Sequence, residues 1–349
     1  MSVNFPSTVG VNFSNTFQST PVSATDAATQ IAALGTKMVK TYNYTQTDFI
    51  KEAKANGLKV ILGIPNDHLE DLSKEKPTTT GDTAKKQPDT ESIIVDVIKK
   101  YSDTIIMVCV GNEPLGPWWG GAYSGYLAKA VQNLNAALIA ASVPTPLTVP
   151  FNYAIMSKSY PPSKGAIHTS LTATIESVCA VIKSSGGVFM INIYPFLNAY
   201  PPEEHVTLKY CLFTATKAAD GWPPIDGAYQ YKNIFDASYD ALFMALTTIG
   251  YGDLNITIGE CGWPTGPSSN AIATLANATT FNTKLVAHCK SGTGTPRVSG
   301  KINCFIFEMY DEDTKSIAPG EFEKHWGVYK ADGTTKHPAK YTAKYTLSL

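Results

Sequence analysis

The chain has 349 residues, with 28 Lys and Arg against 29 Asp and Glu, so its formal net charge is −1. This balance excludes the cationic stripe that a nucleic-acid-binding or membrane-surface protein needs. Hydrophobic residues make up 44% of the chain and charged residues 16%, which supplies a large core and excludes disorder over most of its length. No apolar run approaches the ~18 residues of a membrane span, and the first residues lack a signal-peptide pattern. We therefore expect a soluble chain.

Short apolar runs alternate with segments of helical period along nearly the whole chain. The predicted strands cover residues 8–13, 38–42, 59–64, 105–110, 147–149, 189–194, 255–260 and 302–307. The predicted helices cover residues 26–34, 48–56, 90–101, 123–141, 171–184, 234–249, 271–288 and 338–345. Eight such alternations predict an α/β fold, a closed (β/α)8 TIM barrel, as a single domain over residues 1–349. No glycine-rich phosphate loop follows any strand, which disfavours a nucleotide-binding sheet.

Three connections after predicted strands are much longer than the ~2 to 6 residues usual in βα units. They cover residues 66–89, 195–233 and 308–337, and within the first of them residues 74–88 are typical of a solvated loop. Barrels keep their active sites on the loops that follow the strands. Function is therefore expected on that rim.

Two glutamates end predicted strands at this rim. Glu113 follows the fourth strand, and Glu260 ends the seventh. Strands four and seven face one another across a barrel, so both side chains can converge on one bond, and paired carboxylates are what glycoside hydrolysis requires. The alternative is that each is an ordinary strand-end acid paired with Lys or Arg. Two such acids on corresponding rims favour the catalytic interpretation.

Six cysteines lie far apart, with no CxxC pair and no His at metal-ligand spacing. This excludes the usual zinc and thioredoxin-like patterns, so no metal and no cofactor are expected. The even number permits disulfides, and buried free thiols are an equal alternative.

Several motifs resemble the family 17 glycoside hydrolases, the β-1,3-glucanases. They are Gly-Asn-Glu at 111–113, Asn-Ile-Tyr-Pro-Phe at 192–196, Gly-Glu-Cys-Gly-Trp-Pro at 259–264 and Phe-Glu-Met-Tyr-Asp-Glu-Asp-Thr-Lys at 307–315. The resemblance extends from residues 9–11 to 325–329, essentially the full chain. It implies a (β/α)8 barrel with an elaborated subdomain around the sixth βα segment, in agreement with the long 195–233 connection.

The resemblance implies Glu113 as general acid/base and Glu260 as nucleophile of a retaining double displacement. Asn112, beside the acid, is then expected to hydrogen-bond the sugar 2-OH. Tyr194, at the end of the sixth strand, is expected to orient Glu260, the alternative being a buried tyrosine bonded to a backbone carbonyl.

Three charged residues after the eighth strand, Glu312, Lys315 and Glu323, match positions that the family places near the nucleophile. As a network they would hold Glu260 in place and keep it ionised, the alternative being a solvated acidic loop.

Aromatic residues supply the remaining sugar-contact candidates. Tyr42 ends the second strand, Phe307 the eighth, and Trp263 lies three residues after the nucleophile, where core packing is the alternative.

Two features depart from the family pattern. Cys261 stands where Ser or Thr is more usual, which alters the hydrogen bonding behind the nucleophile. Trp118 and Trp119 lie on the loop that carries the acid, where they either add a sugar subsite or pack under the loop.

The resemblance implies hydrolysis of internal β-1,3 bonds in laminarin-type glucans by a monomer that is secreted or associated with the cell wall. The polymer or its oligosaccharides would be the partner, without nucleic acid or membrane. The alternatives are a β-1,3-glucanosyltransferase, a mixed-linkage β-1,3/1,4-glucanase and a non-catalytic glucan-binding protein. Strong binding of an acceptor sugar would favour the transferase.

Overall fold

The computed structural model of the chain describes residues 3–74, 89–200, 206–217, 220, 225–331 and 341–349. Its strands are β1 (Val9–Phe13), β2 (Met38–Thr41), β3 (Lys59–Ile64), β4 (Ile105–Val110), β5 (Leu147–Thr148), β6 (Pro150–Asn152), β7 (Met156–Lys158), β8 (Ala166–Ile167), β9 (Phe189–Asn192), β10 (Ile225–Asp226), β11 (Tyr229–Gln230), β12 (Ile256–Cys261), β13 (Cys304–Ile306), β14 (Tyr329–Ala331) and β15 (Tyr341–Ala343). Its α-helices are α1 (Ala24–Ala33), α2 (Thr47–Ala55), α3 (Leu69–Ser73), α4 (Thr90–Lys100), α5 (Ser124–Ala140), α6 (Thr169–Ser185), α7 (Pro195–Ala199), α8 (Leu208–Cys211), α9 (Ile234–Thr248) and α10 (Leu275–Ser291).

Nine strands form one parallel sheet in the order β5-β4-β3-β2-β1-β13-β12-β9-β6. The two end strands, β5 and β6, are consecutive in the chain and separated by Val149 alone. β5 pairs with β4, and β6 pairs with β9. The chain therefore joins the two ends of the sheet and closes the predicted barrel.

Alternate residues of the strands face the barrel interior. The interior cluster includes Met38, Ile61, Met107, Met190 and Phe305, whereas their strand neighbours belong to the larger cluster between sheet and helices. Side chains of successive strand residues point to opposite faces, so an interior position recurs every second residue. This periodicity decides which polar side chains lie inside the barrel at the carboxyl ends of its strands.

The predicted elements agree with the observed ones except at the fifth strand and at the C-terminus. The fifth strand is longer than predicted and divides into β5 and β6, so that it ends at Asn152. The helix predicted at 338–345 is wrong, because Tyr341–Ala343 forms β15, antiparallel to β14. Tyr341 packs against the Tyr310 ring at 4.6 Å, and this tertiary contact outweighs local helix propensity.

The long 195–233 connection carries α7, α8 and the β10–β11 hairpin in its described part, which agrees with the expected subdomain. Arg297 bonds Asp226 of the hairpin at 2.8 Å and fixes it to the barrel body. Beyond Lys74, the predicted solvated loop at 74–88 lies outside the described residues. Within the described ranges, the helices include none with the length and apolarity that crossing a membrane requires.

Candidate active site

A cleft of about 820 Å³ lies over the carboxyl ends of the barrel strands. Apart from Trp263, every residue predicted for the site lines it: Tyr42, Asn112, Glu113, Trp118, Trp119, Tyr194, Glu260, Phe307, Glu312, Lys315 and Glu323. The cleft has the volume of a small-molecule site, with aromatic and polar groups on its walls.

The backbone after β4 turns sharply to present Glu113. Gly111 has φ +79° and Glu113 has φ +51°, both in the left-handed region that favours glycine. Asn66 holds the peptide between them, since its Oδ1 accepts from Asn112 N and its Nδ2 donates to Asn112 O, both at 2.8 Å. Glu113 N donates to Pro150 O at 2.7 Å. These bonds fix the acid against β3 and β6.

The Glu113 carboxyl group has an environment that favours its protonated form. Asn192 Nδ2 and Asn152 Nδ2 donate to its Oε1 at 2.8 and 3.1 Å. Burial, followed by the negative charge of Glu260, raises the pKa of Glu113 to about 7 against the opposing effect of these amides. Near neutral pH, this carboxyl group can hold and deliver a proton.

The Glu260 carboxylate is buried and satisfied on both oxygens. Lys40 Nζ lies 3.0 Å from Oε1, Tyr42 Oη lies 2.8 Å from the same oxygen, and Tyr194 Oη donates to Oε2 at 2.7 Å. Burial acts to raise the pKa of Glu260, but the Lys40 charge and the tyrosine hydroxyls outweigh it and lower that pKa below its usual value. Glu260 is therefore ionised at a pH at which Glu113 is still protonated.

Lys40 was not predicted from the sequence, although it is the cationic partner of Glu260. It is fully buried on β2, two residues after Met38 and thus on the interior face. Asn12 on β1 also faces the interior, with Nδ2 donating to Gly259 O at 3.1 Å and Oδ1 lying 3.0 Å from Tyr42 Oη. A lysine in an otherwise apolar strand is a sequence signal for a buried ion pair.

The three charged residues after β13 form the predicted network on the cleft wall. Lys315 Nζ lies 3.0 Å from Glu312 and 3.6 Å from Glu323. Among the described residues, however, the ion pair to Glu260 comes from Lys40 and not from Lys315. Glu308, which was not predicted, is buried beneath this network, and burial together with the Glu312 charge raises its pKa well above the usual range.

Trp263 lies outside the cleft, as its core-packing alternative predicts, and does not make the sugar contact predicted for it. Its side chain is completely buried, packs against Phe196 and Phe281, and donates from Nε1 to Ile272 O at 2.8 Å. β12 ends at Cys261, and two residues further along the chain this ring points into the core instead of the cleft. Trp263 thus has no surface to offer to a sugar.

All six cysteines are free and buried. Cys261, directly after the nucleophile candidate, presents its thiol to the core, and burial raises its pKa. In the described part of the chain, no group of three or more His, Cys, Asp or Glu side chains is placed to hold a metal ion.

A barrel cleft that holds one carboxyl group with a pKa of about 7 beside an ionised one has the arrangement of an enzyme that cleaves glycosidic bonds. Comparison with known proteins agrees, because residues 9–341 match the family described as Glycosyl hydrolases family 17. The chain belongs to this family.

Individual relatives include plant proteins. The chain is 32% identical over 306 residues to glucan endo-1,3-beta-glucosidase 5 of Arabidopsis thaliana, covering 87% of this chain and 60% of that protein. It is 30% identical over 301 residues to a glucan endo-1,3-beta-glucosidase of Vitis vinifera, covering 85% and 81%. The chain thus spans less than two thirds of the Arabidopsis relative.

Solved structures agree over nearly the whole chain. A β-1,3-glucanase and allergen of Cryptomeria japonica pollen superimposes with a TM-score of 0.83 at 27% identity, covering 98% of this chain and 99% of that one. A structure from work on two plant β-glucan endohydrolases with distinct substrate specificities gives a TM-score of 0.79 at 27% identity, covering 97% and 100%.

Proposed function

We propose that the chain is a single catalytic domain that hydrolyses internal β-1,3 bonds of glucans with retention of anomeric configuration. The observation that carries the proposal is the pair of carboxyl groups in one cleft, Glu113 bonded by two amides and Glu260 by a buried ammonium and two phenols. These surroundings raise the pKa of Glu113 and lower that of Glu260. This difference matches the two roles that a double displacement requires. The relatives named as glucan endo-1,3-beta-glucosidases support the β-1,3-linked substrate.

In the first step, Glu113 protonates the leaving glycosidic oxygen while a carboxylate oxygen of Glu260 attacks the anomeric carbon. The bond from that carbon to the leaving oxygen breaks, and a glucosyl ester of Glu260 forms. Tyr194 and Tyr42 hold the carboxylate in position, because their hydroxyls lie 2.7 and 2.8 Å from its two oxygens. Lys40 keeps it ionised before the attack.

In the second step, water attacks the anomeric carbon and Glu113 takes its proton. Esterification of Glu260 removes the negative charge that helps to raise the pKa of Glu113. The Glu113 carboxylate that remains after the first step is then a stable base. One residue can thus act as acid and later as base.

Polar residues around the two carboxyl groups supply sugar contacts. Lys40 Nζ lies 3.4 Å from Asn112 Oδ1, which leaves the Asn112 NH2 group to donate to the sugar 2-OH. The Lys315 ammonium lies 4.6 Å from the centre of the Phe307 ring. Phe307 thus gives this wall of the cleft an apolar surface next to charged side chains. Glu312 and Glu323 on this wall can accept from sugar hydroxyls.

We further propose a monomer that acts on extracellular or cell-wall glucan without a metal or organic cofactor. The family membership and the plant relatives support this setting. Its substrate would be the polymer or its oligosaccharides.

The test is product sizing on a linear β-1,3-glucan and on a mixed-linkage β-1,3/1,4-glucan, with Glu260→Gln as the matched inactive variant. We expect short oligosaccharides from the β-1,3-glucan, and a loss of several orders of magnitude in kcat for the variant. Activity on the mixed-linkage polymer alone would overturn the β-1,3 assignment. Binding without turnover would support the glucan-binding alternative.

A further inference from the structure

Two tryptophans on the acid-bearing loop are exposed in a way that core packing does not explain. Trp118 is 55% exposed and Trp119 39% exposed, and both line the cleft. Large aromatic side chains are usually buried, as Trp263 and Trp326 are in this chain. An exposed pair inside a concave site indicates a surface that a ligand covers.

The loop holds these rings in place without burying them. Trp119 Nε1 donates to Glu113 O at 3.1 Å, and its ring meets the Tyr123 ring edge-on at 5.3 Å. The Trp118 ring packs over Gly116, where a Cβ atom would lie 2.4 Å from it. Because these rings are already ordered, the protein loses little conformational entropy when a ligand binds to them.

The position of the loop assigns the pair to one side of the scissile bond. Glu113 protonates the leaving oxygen, and Trp119 is bonded to the carbonyl of that same residue. The sugar that forms the ester must instead sit over Glu260, among Lys40, Tyr42 and Tyr194. The tryptophans therefore flank the sugar that leaves, which is also where a second sugar can enter.

We propose that Trp118 and Trp119 form a stacking surface for an acceptor sugar, and that it makes the protein a glucan transferase as well as a hydrolase. This inference rests on the proposed function. An acceptor hydroxyl oxygen attacks the anomeric carbon of the Glu260 ester, the bond from that carbon to the Glu260 oxygen breaks, and the hydroxyl proton passes to Glu113. The product is a glucan longer than the acceptor.

Water and the acceptor compete for one intermediate, so occupancy of this surface sets the ratio of transfer to hydrolysis. The apolar face of a glucose ring stacks on an indole, and a stacked acceptor has its hydroxyl held near the ester. Removing one ring lowers the effective concentration of the acceptor without touching the carboxyl groups.

The experiment compares wild type, Trp118→Ala, Trp118→Phe and Tyr126→Ala at millimolar laminaripentaose, with products sized over time. Trp118 is chosen because Trp119 also donates a hydrogen bond to the backbone carbonyl of Glu113. Tyr126 on α5 is an exposed aromatic that does not line the cleft. We expect wild type and Tyr126→Ala to form products longer than the pentasaccharide, Trp118→Ala to lower the transfer-to-hydrolysis ratio about tenfold, and Trp118→Phe to recover part of it.

Release of an aryl group from an aryl laminarioside reports the chemistry of the two glutamates separately. It should be unchanged in Tyr126→Ala, whose ring lies outside the cleft, whereas Trp118→Ala is judged by its transfer-to-hydrolysis ratio because the aryl group leaves on the side that the tryptophans flank. If wild type hydrolyses the pentasaccharide but forms no longer product, or if Trp118→Ala keeps the wild-type ratio, the acceptor surface is wrong while the proposed function stands. If wild type releases no aryl group and cleaves no glucan, the proposed function fails and the inference fails with it.

Discussion

At the scale of single residues, the site separates two chemically identical groups by their surroundings. Glu113 has uncharged amide partners, Asn152 and Asn192, whereas Glu260 has a buried ammonium and two phenols. A charged partner favours ionisation more strongly than neutral donors do in a site of low dielectric. The protein can therefore keep a protonated and an ionised carboxyl group in one cleft at the same pH.

The pH dependence of catalysis should report the acid. Since Glu113 must be protonated to release the leaving group and its pKa is about 7, kcat/KM should fall as pH rises through that value. Glu113→Gln should lower kcat/KM by orders of magnitude and remove this basic limb. The measurement is a pH profile of kcat/KM on a β-1,3-glucan. A wild-type profile that stays flat to pH 9 would contradict the role of Glu113.

Lys40→Met should act through the nucleophile. Removing the buried cation leaves Glu260 with only its two tyrosine partners, so its pKa rises and the acidic limb of kcat/KM moves to higher pH. Breaking a buried pair also costs roughly 3–5 kcal/mol of stability. Lys59→Met, at the start of the neighbouring β3, is the matched control. An unshifted acidic limb in Lys40→Met would show that Lys40 does not set the charge of Glu260.

The sequence predicted the two glutamates because each one lies at the end of a buried strand within a recognisable motif. Their partners could not be predicted in the same way, since Lys40 is 220 residues from Glu260 in sequence and a single strand does not reveal what it faces. The sugar contact of Trp263 could not be decided from the sequence, because the direction of the chain after a strand determines whether a residue reaches the cleft or the core. That direction depends on packing against Phe196 and Phe281.

At the scale of secondary structure, the C-terminal hairpin of β14 and β15 supports the loop that carries the charged wall. Lys344 Nζ lies 2.6 Å from Asp311 Oδ1 and 2.7 Å from Thr265 Oγ1. Burial raises the pKa of Asp311 and lowers that of Lys344, because desolvation disfavours the charged form of each side chain. The Lys344–Asp311 pair thus couples the hairpin to the loop that carries the charged wall.

Lys344→Met should destabilise the fold by roughly 3 kcal/mol, because it leaves Asp311 buried without its cation. Thermal unfolding measures the effect. The exposed Lys330 on β14 supplies the control, and Lys330→Met should change stability by less than about 0.5 kcal/mol. The double variant Asp311→Asn/Lys344→Met should recover part of the loss. Equal losses in Lys344→Met and Lys330→Met would contradict the structural role of the pair.

Short apolar runs and helical patterns were sufficient to predict the barrel, because its strands are apolar on both faces and its helices are long enough to show their period. The 338–345 segment was too short to decide between helix and strand by pattern. Pairing with β14 makes Tyr341–Ala343 a strand. Pairing between β4 and β5 and between β6 and β9 closes the barrel, a long-range feature that no local pattern contains.

At the scale of the whole molecule, the barrel is stabilised without covalent cross-links, since all six cysteines are free and buried. We expect no thiol to react with Ellman's reagent in the native state and six to react after denaturation. A reducing agent should leave the midpoint of thermal unfolding unchanged. Fewer than six thiols after denaturation without reductant would contradict this, as would destabilisation by the reductant.

The stereochemistry of the reaction shows whether Glu113 and Glu260 perform a double displacement. Proton NMR of the first anomer released from a linear β-1,3-glucan, before mutarotation, distinguishes retention from inversion. We expect a β-anomer from the wild type and no product from Glu260→Ala. An α-anomer would contradict it, because inversion needs no ester on Glu260 and requires a wider separation of the two carboxyl groups.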